Sequence, residues 1–120
     1  MEAIDLLKYN NWVVIGDTLN KDKYASKILS KLNSRGYKVK GVHPKGGENI
    51  YKKLEEVPYK IDVIDLCINH MIGIKFMEEA KTLGIKYVLI QPGAESRDIL
   101  NYCKDNGINA IEGCALVALG

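Results

Sequence analysis

The stretch Trp12-Val13-Val14-Ile15-Gly16-Asp17-Thr18 decides the fold. Four apolar residues, two of them adjacent valines, predict a short strand that is buried on both faces, and the Gly-Asp-Thr that follows predicts a turn. A stripe of apolar residues at helical spacing then runs from Tyr24 to Leu32. A strand, a glycine-containing turn and a helix form the first half of a nucleotide-binding α/β unit, in which the turn lies beside phosphate groups.

A second kind of junction recurs further along the chain. At Gly36, Gly84 and Gly107, a polar helical end is followed by one glycine and then by a β-prone run. Glycine fits the left-handed residue that follows a helix, because it has no Cβ to clash. Helices and strands that alternate in this way build a parallel sheet with helices on both faces.

The sequence therefore predicts an α/β, Rossmann-like three-layer sandwich with a five-stranded parallel sheet in the order 3-2-1-4-5. A helix is expected at residues 2–8, and a second, short helix is expected around Tyr51–Glu56. At 120 residues, the chain 1–120 is expected to form a single domain. The five strands are predicted near residues 12–16, 37–42, 62–68, 86–90 and 108–112.

The composition argues against several classes of protein. A net charge of +2 is too small for the dense basic face of a nucleic-acid-binding protein. No apolar stretch approaches the roughly 18 residues of a membrane span, and the first residues lack a signal-peptide pattern. The three cysteines, Cys67, Cys103 and Cys114, show no C-x-x-C spacing, which favours a cytoplasmic protein with free thiols. No metal site is expected, and Cys67 and Cys103 are expected in the core.

The ends of the predicted strands are expected to surround one crevice, because the carboxyl ends of parallel strands meet at the same edge of a sheet. We expect the ligand at the ends of predicted strands 1 and 4. The segments that follow the five strands are Gly16–Thr18, His43–Lys45, Ile68–His70, Gln91–Gly93 and Glu112–Cys114.

The turn after the first strand is the candidate phosphate site. Gly16 lets the backbone approach a pyrophosphate, and the first N–H groups of the next helix favour an anion. Thr18 adds a hydroxyl, and Lys21 and Lys23 add positive charge. Asp17 would repel a phosphate, so we expect it to point away, cap the helix or pair with a lysine. There is no G-x-G-x-x-G or Walker A motif, so a plain strand-to-helix turn stays an alternative.

The end of the second predicted strand, Val42-His43-Pro44-Lys45-Gly46-Gly47, narrows the ligand further. An NAD site places a carboxylate at this corner to bind the ribose 2′-OH. This segment has no carboxylate and offers Lys45, with Lys40 shortly before it. Positive charge suits a ribose that carries a phosphate, as in coenzyme A (CoA) and in NADP.

The ordered set V-V-I-G, V-H-P-K-G-G and Q-P-G-A-E-S, followed by a late cysteine, resembles the CoA-binding proteins. These are single Rossmann-like domains similar to the CoA-binding domain of the succinyl-CoA synthetase α subunit. The resemblance covers about residues 10–117, and it implies a site for CoA or acyl-CoA.

The resemblance also implies a role for each segment. Gly16–Thr18 match the turn beside the CoA pyrophosphate, and His43–Lys45 match the segment that holds the adenosine and its 3′-phosphate. Cys114 lies where a thiol near that of CoA could form a mixed disulfide, although a small buried apolar residue is the alternative. The resemblance places Ile68 and Asn69 against the adenine, and Gln91 and Pro92 near the pantetheine. The implied cofactor-binding residues are Gly16, Asp17, Thr18, Lys23, Tyr24, Val42, His43, Pro44, Lys45, Ile68, Asn69, Gln91, Pro92 and Cys114.

The function expected from these residues is non-catalytic binding of CoA or acyl-CoA. The ligases that share such a domain need further domains, and no Ser-His-Asp set or pair of carboxylates predicts a catalytic residue here. A separately encoded enzyme is a candidate partner, and no contact with nucleic acid or membrane is expected. Three alternatives stay open: an NADP-dependent oxidoreductase-like nucleotide-binding domain, a flavodoxin-like receiver, and a structural domain without a ligand.

Overall fold

The structure, a computed structural model, describes residues 1–120. Six strands form one sheet in the order β3-β2-β1-β4-β5-β6, and all neighbouring strands are parallel. The strands are β1 (Asn11–Ile15), β2 (Lys38–Val42), β3 (Ile50–Tyr51), β4 (Val63–Leu66), β5 (Tyr87–Ile90) and β6 (Asn109–Glu112).

Helices cover both faces of the sheet, as predicted. The four α-helices are α1 (Tyr24–Ser34), α2 (His70–Thr82), α3 (Arg97–Asp105) and α4 (Ala115–Leu119). A 3-10 helix, Ala3–Lys8, takes the place of the helix predicted at residues 2–8, and a 3-10 turn, Leu54–Glu56, follows β3. The first 3-10 helix, α1 and α4 pack on one face, and α2 and α3 pack on the other. No helix has the length and apolar character that crossing a membrane requires.

The central strands are buried on both sides, which explains why their sequences do not alternate between polar and apolar residues. Val13 and Ile15 join the core beneath α2 and α3, whereas Trp12 and Val14 join the core beneath α1 and α4. The four side chains have no solvent exposure. The prediction of a first strand at residues 12–16 is confirmed within one residue at each end.

The prediction of five strands is wrong, because it missed β3. This strand has only two residues, pairs with β2 through Gly41↔Ile50 and Val42↔Tyr51, and replaces the start of the predicted helix around Tyr51–Glu56. Two residues are too few to show a strand pattern in the sequence. The missed strand occupies the outer edge of the sheet.

The missed strand also changes the place of the next one. The strand predicted near residues 62–68 was expected at that outer edge, but it is β4 and pairs with β1. The strand order therefore reverses between β1 and β4, and the crevice opens between their carboxyl ends. The sequence prediction placed this reversal beside the strand at residues 86–90, whereas the structure places it beside the strand predicted near residues 62–68.

The predicted boundaries of the helices are confirmed at several points. Gly36, Gly84 and Gly107 have φ angles of 86°, 73° and 71°, as expected for residues that follow a helix. The side chain of Ser96 accepts a hydrogen bond from the backbone N–H of Ile99, so it caps α3 as predicted.

Candidate functional site

Two adjoining cavities open at the carboxyl ends of the strands. The larger, here the main cavity, has a volume of about 540 Å³, and the smaller, here the side cavity, has a volume of about 210 Å³. Asp17 and His43 line both of them, so the two cavities meet at these residues.

The structure brings most of the predicted site residues to these cavities. The predicted residues that line the main cavity are Asp17, Lys23, Tyr24, His43, Ile68, Asn69, Gln91, Pro92 and Cys114. The side cavity is lined by Gly16, Thr18 and Lys45, together with Asp17 and His43. The turn after β1 and the loop after β2 therefore face each other.

Two predicted site residues do not line either cavity. Val42 is fully buried in the core, and its carbonyl accepts a hydrogen bond of 3.0 Å from the backbone N–H of Gly16. Pro44 lines a separate hollow beside Ile72 and Phe76. Lys40, which the sequence places near this corner, lies within β2 and lines neither cavity.

The turn after β1 packs closely against its neighbours. A Cβ atom on Gly16 would lie 2.9 Å from the carbonyl oxygen of Cys67 and 3.0 Å from the Cβ of Ala25, so a larger residue does not fit. Asp17 neither caps α1 nor pairs with a lysine. Its carboxylate accepts hydrogen bonds from the backbone N–H groups of Leu19 and Asn20 at 3.2 and 3.1 Å, which fixes the loop.

The first turn of α1 faces the main cavity with unpaired donors. The N-cap residue Lys23 makes no side-chain capping bond, and the backbone N–H groups of Tyr24, Ala25 and Ser26 have no acceptor in the protein. Such groups carry the positive end of the helix dipole. By contrast, Asn69 caps α2 by accepting from Ile72.

Two lysines and one hydroxyl at the cavities also lack partners within the protein. The only ion pair in the structure joins Lys53 and Glu55, so no carboxylate neutralises Lys23 or Lys45. The Thr18 hydroxyl is buried without a hydrogen-bond partner, and it packs so closely on Gly41 that a Cβ there would collide with it. The unpaired lysines are groups that a bound anion would satisfy.

A buried carboxyl lies beneath the main cavity. Asp65 in β4 has no solvent exposure, and it accepts hydrogen bonds from Gln91 Nε2 at 2.5 Å and from the Cys67 thiol at 3.1 Å. Burial raises the pKa of Asp65 to about 7, although the two hydrogen bonds act in the opposite direction. Burial, together with the nearby Asp65, raises the pKa of the Cys67 thiol well above its usual range.

The three cysteines have different surroundings. Cys103 is fully buried, so the prediction of a core residue is confirmed. Cys67 packs against the core as predicted, but it is only half-buried and also lines the main cavity. Cys114 is also half-buried, immediately precedes α4 and lines the main cavity.

Sequence reasoning missed several residues at the cavities. Asp65 left a detectable signal, because a carboxyl within an otherwise apolar central strand is rare without a function. The other missed residues are apolar or small and carry no such signal. They are Ala25, Cys67 and Ala94 in the main cavity, and Leu19, Gly46 and Ile50 in the side cavity.

The family model for the CoA binding domain matches residues 10–120. The chain belongs to the CoA-binding domain family. The match covers both cavities and all six strands of this CoA-binding domain, and it confirms the family resemblance seen in the sequence.

Solved structures similar to this CoA-binding domain include proteins of its own size and a much larger one. A conserved hypothetical protein from Pyrococcus furiosus is 31% identical, with 91% of this chain and 98% of that chain covered and a TM-score of 0.84. A hypothetical protein from Pyrococcus horikoshii OT3 has a similar fold at 23% identity, with coverage of 98% and 89% and a TM-score of 0.88. The acetyl-coenzyme A synthetase 1 of Ca. Korarchaeum cryptofilum shares the fold at 20% identity; the match covers 89% of this chain but 27% of that chain, with a TM-score of 0.68.

Proposed function

We propose that this protein binds CoA or acyl-CoA without catalysing a reaction, with the pyrophosphate at the turn between β1 and α1 and the 3′-phosphate near Lys45. The observation that carries the proposal is that Gly16 and Lys45 line the same side cavity. A turn that suits a pyrophosphate and a lysine that suits a ribose phosphate thus lie side by side, in a chain of the CoA-binding domain family.

The unpaired donors around the turn support the position of the pyrophosphate. Its oxygens would accept hydrogen bonds from the free N–H groups at the start of α1, beginning with Tyr24. Lys23 would supply charge without first losing a carboxylate partner. Asp17 lines the same cavity and its negative charge opposes a phosphate, so Lys23, Lys45 and the helix N–H groups must outweigh it.

The loop after β2 supports the position of the 3′-phosphate. Lys45 is exposed, and its backbone N–H donates to Nδ1 of His43 at 3.1 Å, which stabilises the tight turn. The only carboxylate among the residues that line the side cavity is that of Asp17. A phosphorylated ribose would therefore meet one lysine and no carboxylate from the β2 loop.

The main cavity suits the remainder of the ligand. We assign Ile68 and Asn69 to the adenine, Gln91 and Pro92 to the pantetheine arm, and Cys114 to the thiol end. A pocket of this size with mostly apolar walls and a few polar groups is typical of small-molecule sites.

The absence of a catalytic role is part of the proposal. His43, the histidine that lines the cavities, has no hydrogen bond to a carboxylate or hydroxyl that would prepare it as a base. The synthetase from Ca. Korarchaeum cryptofilum has this fold as 27% of its length. We propose that a separately encoded enzyme partner uses the bound CoA.

Calorimetric titration with CoA, dephospho-CoA, NADP and NAD tests the proposal. We expect CoA to bind and dephospho-CoA, which lacks the 3′-phosphate, to bind about tenfold to a hundredfold more weakly, since a hydrogen bond to a charged group contributes roughly 1.5–3 kcal/mol. A preference for NADP would favour the oxidoreductase-like alternative. Failure of all four ligands to bind would overturn the proposal.

A further inference from the structure

Asp65 occupies an unusual position for a carboxyl. It lies on a central strand, and its register partners Val14 and Leu89 are apolar and have no solvent exposure. No ion pair involves Asp65. An unpaired carboxyl in such surroundings destabilises the fold unless its hydrogen bonds compensate, so its presence calls for a functional reason.

Both hydrogen bonds of Asp65 lead to residues that line the main cavity. Gln91 Nε2 donates to one carboxyl oxygen at 2.5 Å, and the Cys67 thiol donates to the other at 3.1 Å. Gln91 itself is 5% exposed, and it lies one residue beyond the end of β5. The buried carboxyl thus connects two cavity side chains from below.

The other end of the Gln91 amide faces the cavity. No protein group donates to its side-chain oxygen, and this oxygen is not among the fully buried polar atoms that lack a partner. An ionised carboxylate can only accept hydrogen bonds, so it draws the NH₂ group of the amide toward itself. The oxygen of Gln91 is thereby left as an acceptor on the cavity wall.

We propose that Asp65 is a positioning residue that holds Gln91 with its side-chain oxygen toward the main cavity, so that the site selects a ligand arm carrying N–H donors. This inference rests on the proposed function, because the pantetheine arm of CoA carries amide N–H groups. Asp65 itself does not touch the ligand; it acts through Gln91.

The ionisation of Asp65 makes this selection depend on pH. Burial raises its pKa to about 7, and below that pH a protonated carboxyl can donate to the Gln91 oxygen and turn the amide. The titratable groups beside Asp65 are the thiols of Cys67 and, next to it, Cys114.

No other element brings a charged group to Asp65. The buried side chains from β1, β5, α1, α4 and the first 3-10 helix that form the core on this face are apolar. Besides Cys67, the titratable groups packed against that core are the tyrosines Tyr9, Tyr37 and Tyr87. The charged or titratable side chains that line the cavity above are Asp17, Lys23 and His43.

The test compares CoA with adenosine 3′,5′-bisphosphate, which has the nucleotide end but no pantetheine arm. Asp65→Asn and Gln91→Met are expected to lower the affinity for CoA by about twofold to tenfold, as for the loss of one hydrogen bond, and to leave the affinity for the bisphosphate unchanged. In the wild type, the affinity for CoA divided by the affinity for the bisphosphate should fall as the pH falls through about 7. In Asp65→Asn this ratio should not change with pH. The control variant His43→Gln removes the histidine that lines the cavity, and the same fall in the affinity ratio is expected in it.

The inference would be overturned if Asp65→Asn lost affinity equally for CoA and for the bisphosphate, or if this variant kept the pH dependence of the wild type. A second measurement needs no ligand: the side-chain NH₂ resonances of Gln91 should shift with a midpoint near pH 7, and the shift should vanish in Asp65→Asn. If wild-type protein fails to bind CoA, the proposed function and the selection of a CoA arm fail together. Resonances that do not respond to pH would instead refute the coupling of Asp65 to Gln91.

Discussion

Two aspartates near the carboxyl ends of the strands have different structural roles, because one is exposed and the other is buried. Asp17 is exposed and accepts from two loop N–H groups, so it shapes the turn after β1. Asp65 is buried under the cavity and holds two side chains that line it. The sequence indicated the location of Asp17, but Gln91, one of the two partners of Asp65, is 26 residues away, and this contact follows only from the packing of β4 beside β5.

The first prediction at the residue scale concerns Lys45. Lys45→Ala should weaken CoA about tenfold to a hundredfold, because a charged hydrogen bond to the 3′-phosphate is lost, and should hardly change the affinity for dephospho-CoA. Lys86→Ala is the matched control, since Lys86 directly precedes β5 and therefore lies at the amino ends of the strands, opposite the cavities. Calorimetry with both ligands checks the outcome. An equal effect on both ligands would place the 3′-phosphate elsewhere.

The second prediction concerns the effect of Asp65 on folding stability. The pKa of Asp65 rises from about 3.8 to about 7 on folding, so the folded protein holds this proton more tightly than the unfolded chain does. The resulting stabilisation is fully present below about pH 4 and is lost as the pH rises to about 7. Compared with Asp65→Asn, the wild-type free energy of unfolding should therefore fall by roughly 2–4 kcal/mol over this interval.

Urea unfolding at a series of pH values measures this difference. Because the other titrating groups are common to both proteins, subtracting the two profiles isolates the contribution of Asp65. Parallel profiles would mean that Asp65 keeps an ordinary pKa in the folded protein.

At the scale of elements, the three long helices begin in two different ways. The side chains of Asn69 and Ser96 cap α2 and α3, whereas α1 begins without a side-chain cap and leaves its first N–H groups free. Capping residues are recognisable in sequence, so the start of α3 was predictable. The start of α1 has no capping residue to mark it. Its place beside a cavity was predictable only because, in an α/β unit of this kind, the helix after the first strand begins near the ligand.

The prediction at this scale is that Ser96→Ala lowers the free energy of unfolding by about 1 kcal/mol, because the backbone N–H of Ile99 loses its acceptor. The affinity for CoA should not change, since Ser96 does not line the main cavity. Denaturant titration measures the stability, and Ser34→Ala, at the exposed end of α1, provides a control without a cap. A loss of affinity in Ser96→Ala would mean that α3 contributes to the site.

The whole molecule was predictable in its architecture and less so in its strand order. Apolar runs and the glycines at the helix ends suffice for a parallel sheet between two helical layers. The two-residue β3 escaped detection, and without it the prediction placed β4 at the outer edge of the sheet instead of beside β1. Most of the residues that line the two cavities were nevertheless predicted, because they follow a strand end or begin α1, and these positions are recognisable in the sequence.

The prediction for the whole molecule is thermal stabilisation by the ligand. A ligand that binds only the folded state at about 100 times its dissociation constant adds about 2.7 kcal/mol. For a chain of 120 residues this should raise the melting temperature by roughly 10 °C. Circular dichroism during heating, with CoA and with adenosine at equal concentration, checks it. An equal rise with adenosine would contradict recognition of the phosphates.

Trp12 is the only tryptophan, it is wholly enclosed beneath the layer of α1, and its indole N–H donates to the carbonyl of Tyr9 at 2.8 Å. It lies near the amino end of β1, away from both cavities. Its fluorescence should therefore keep the same wavelength when a ligand fills the site and move to the red only when the core opens to water. The fluorescence of Trp12 therefore reports whether the core is folded and does not respond to ligand binding.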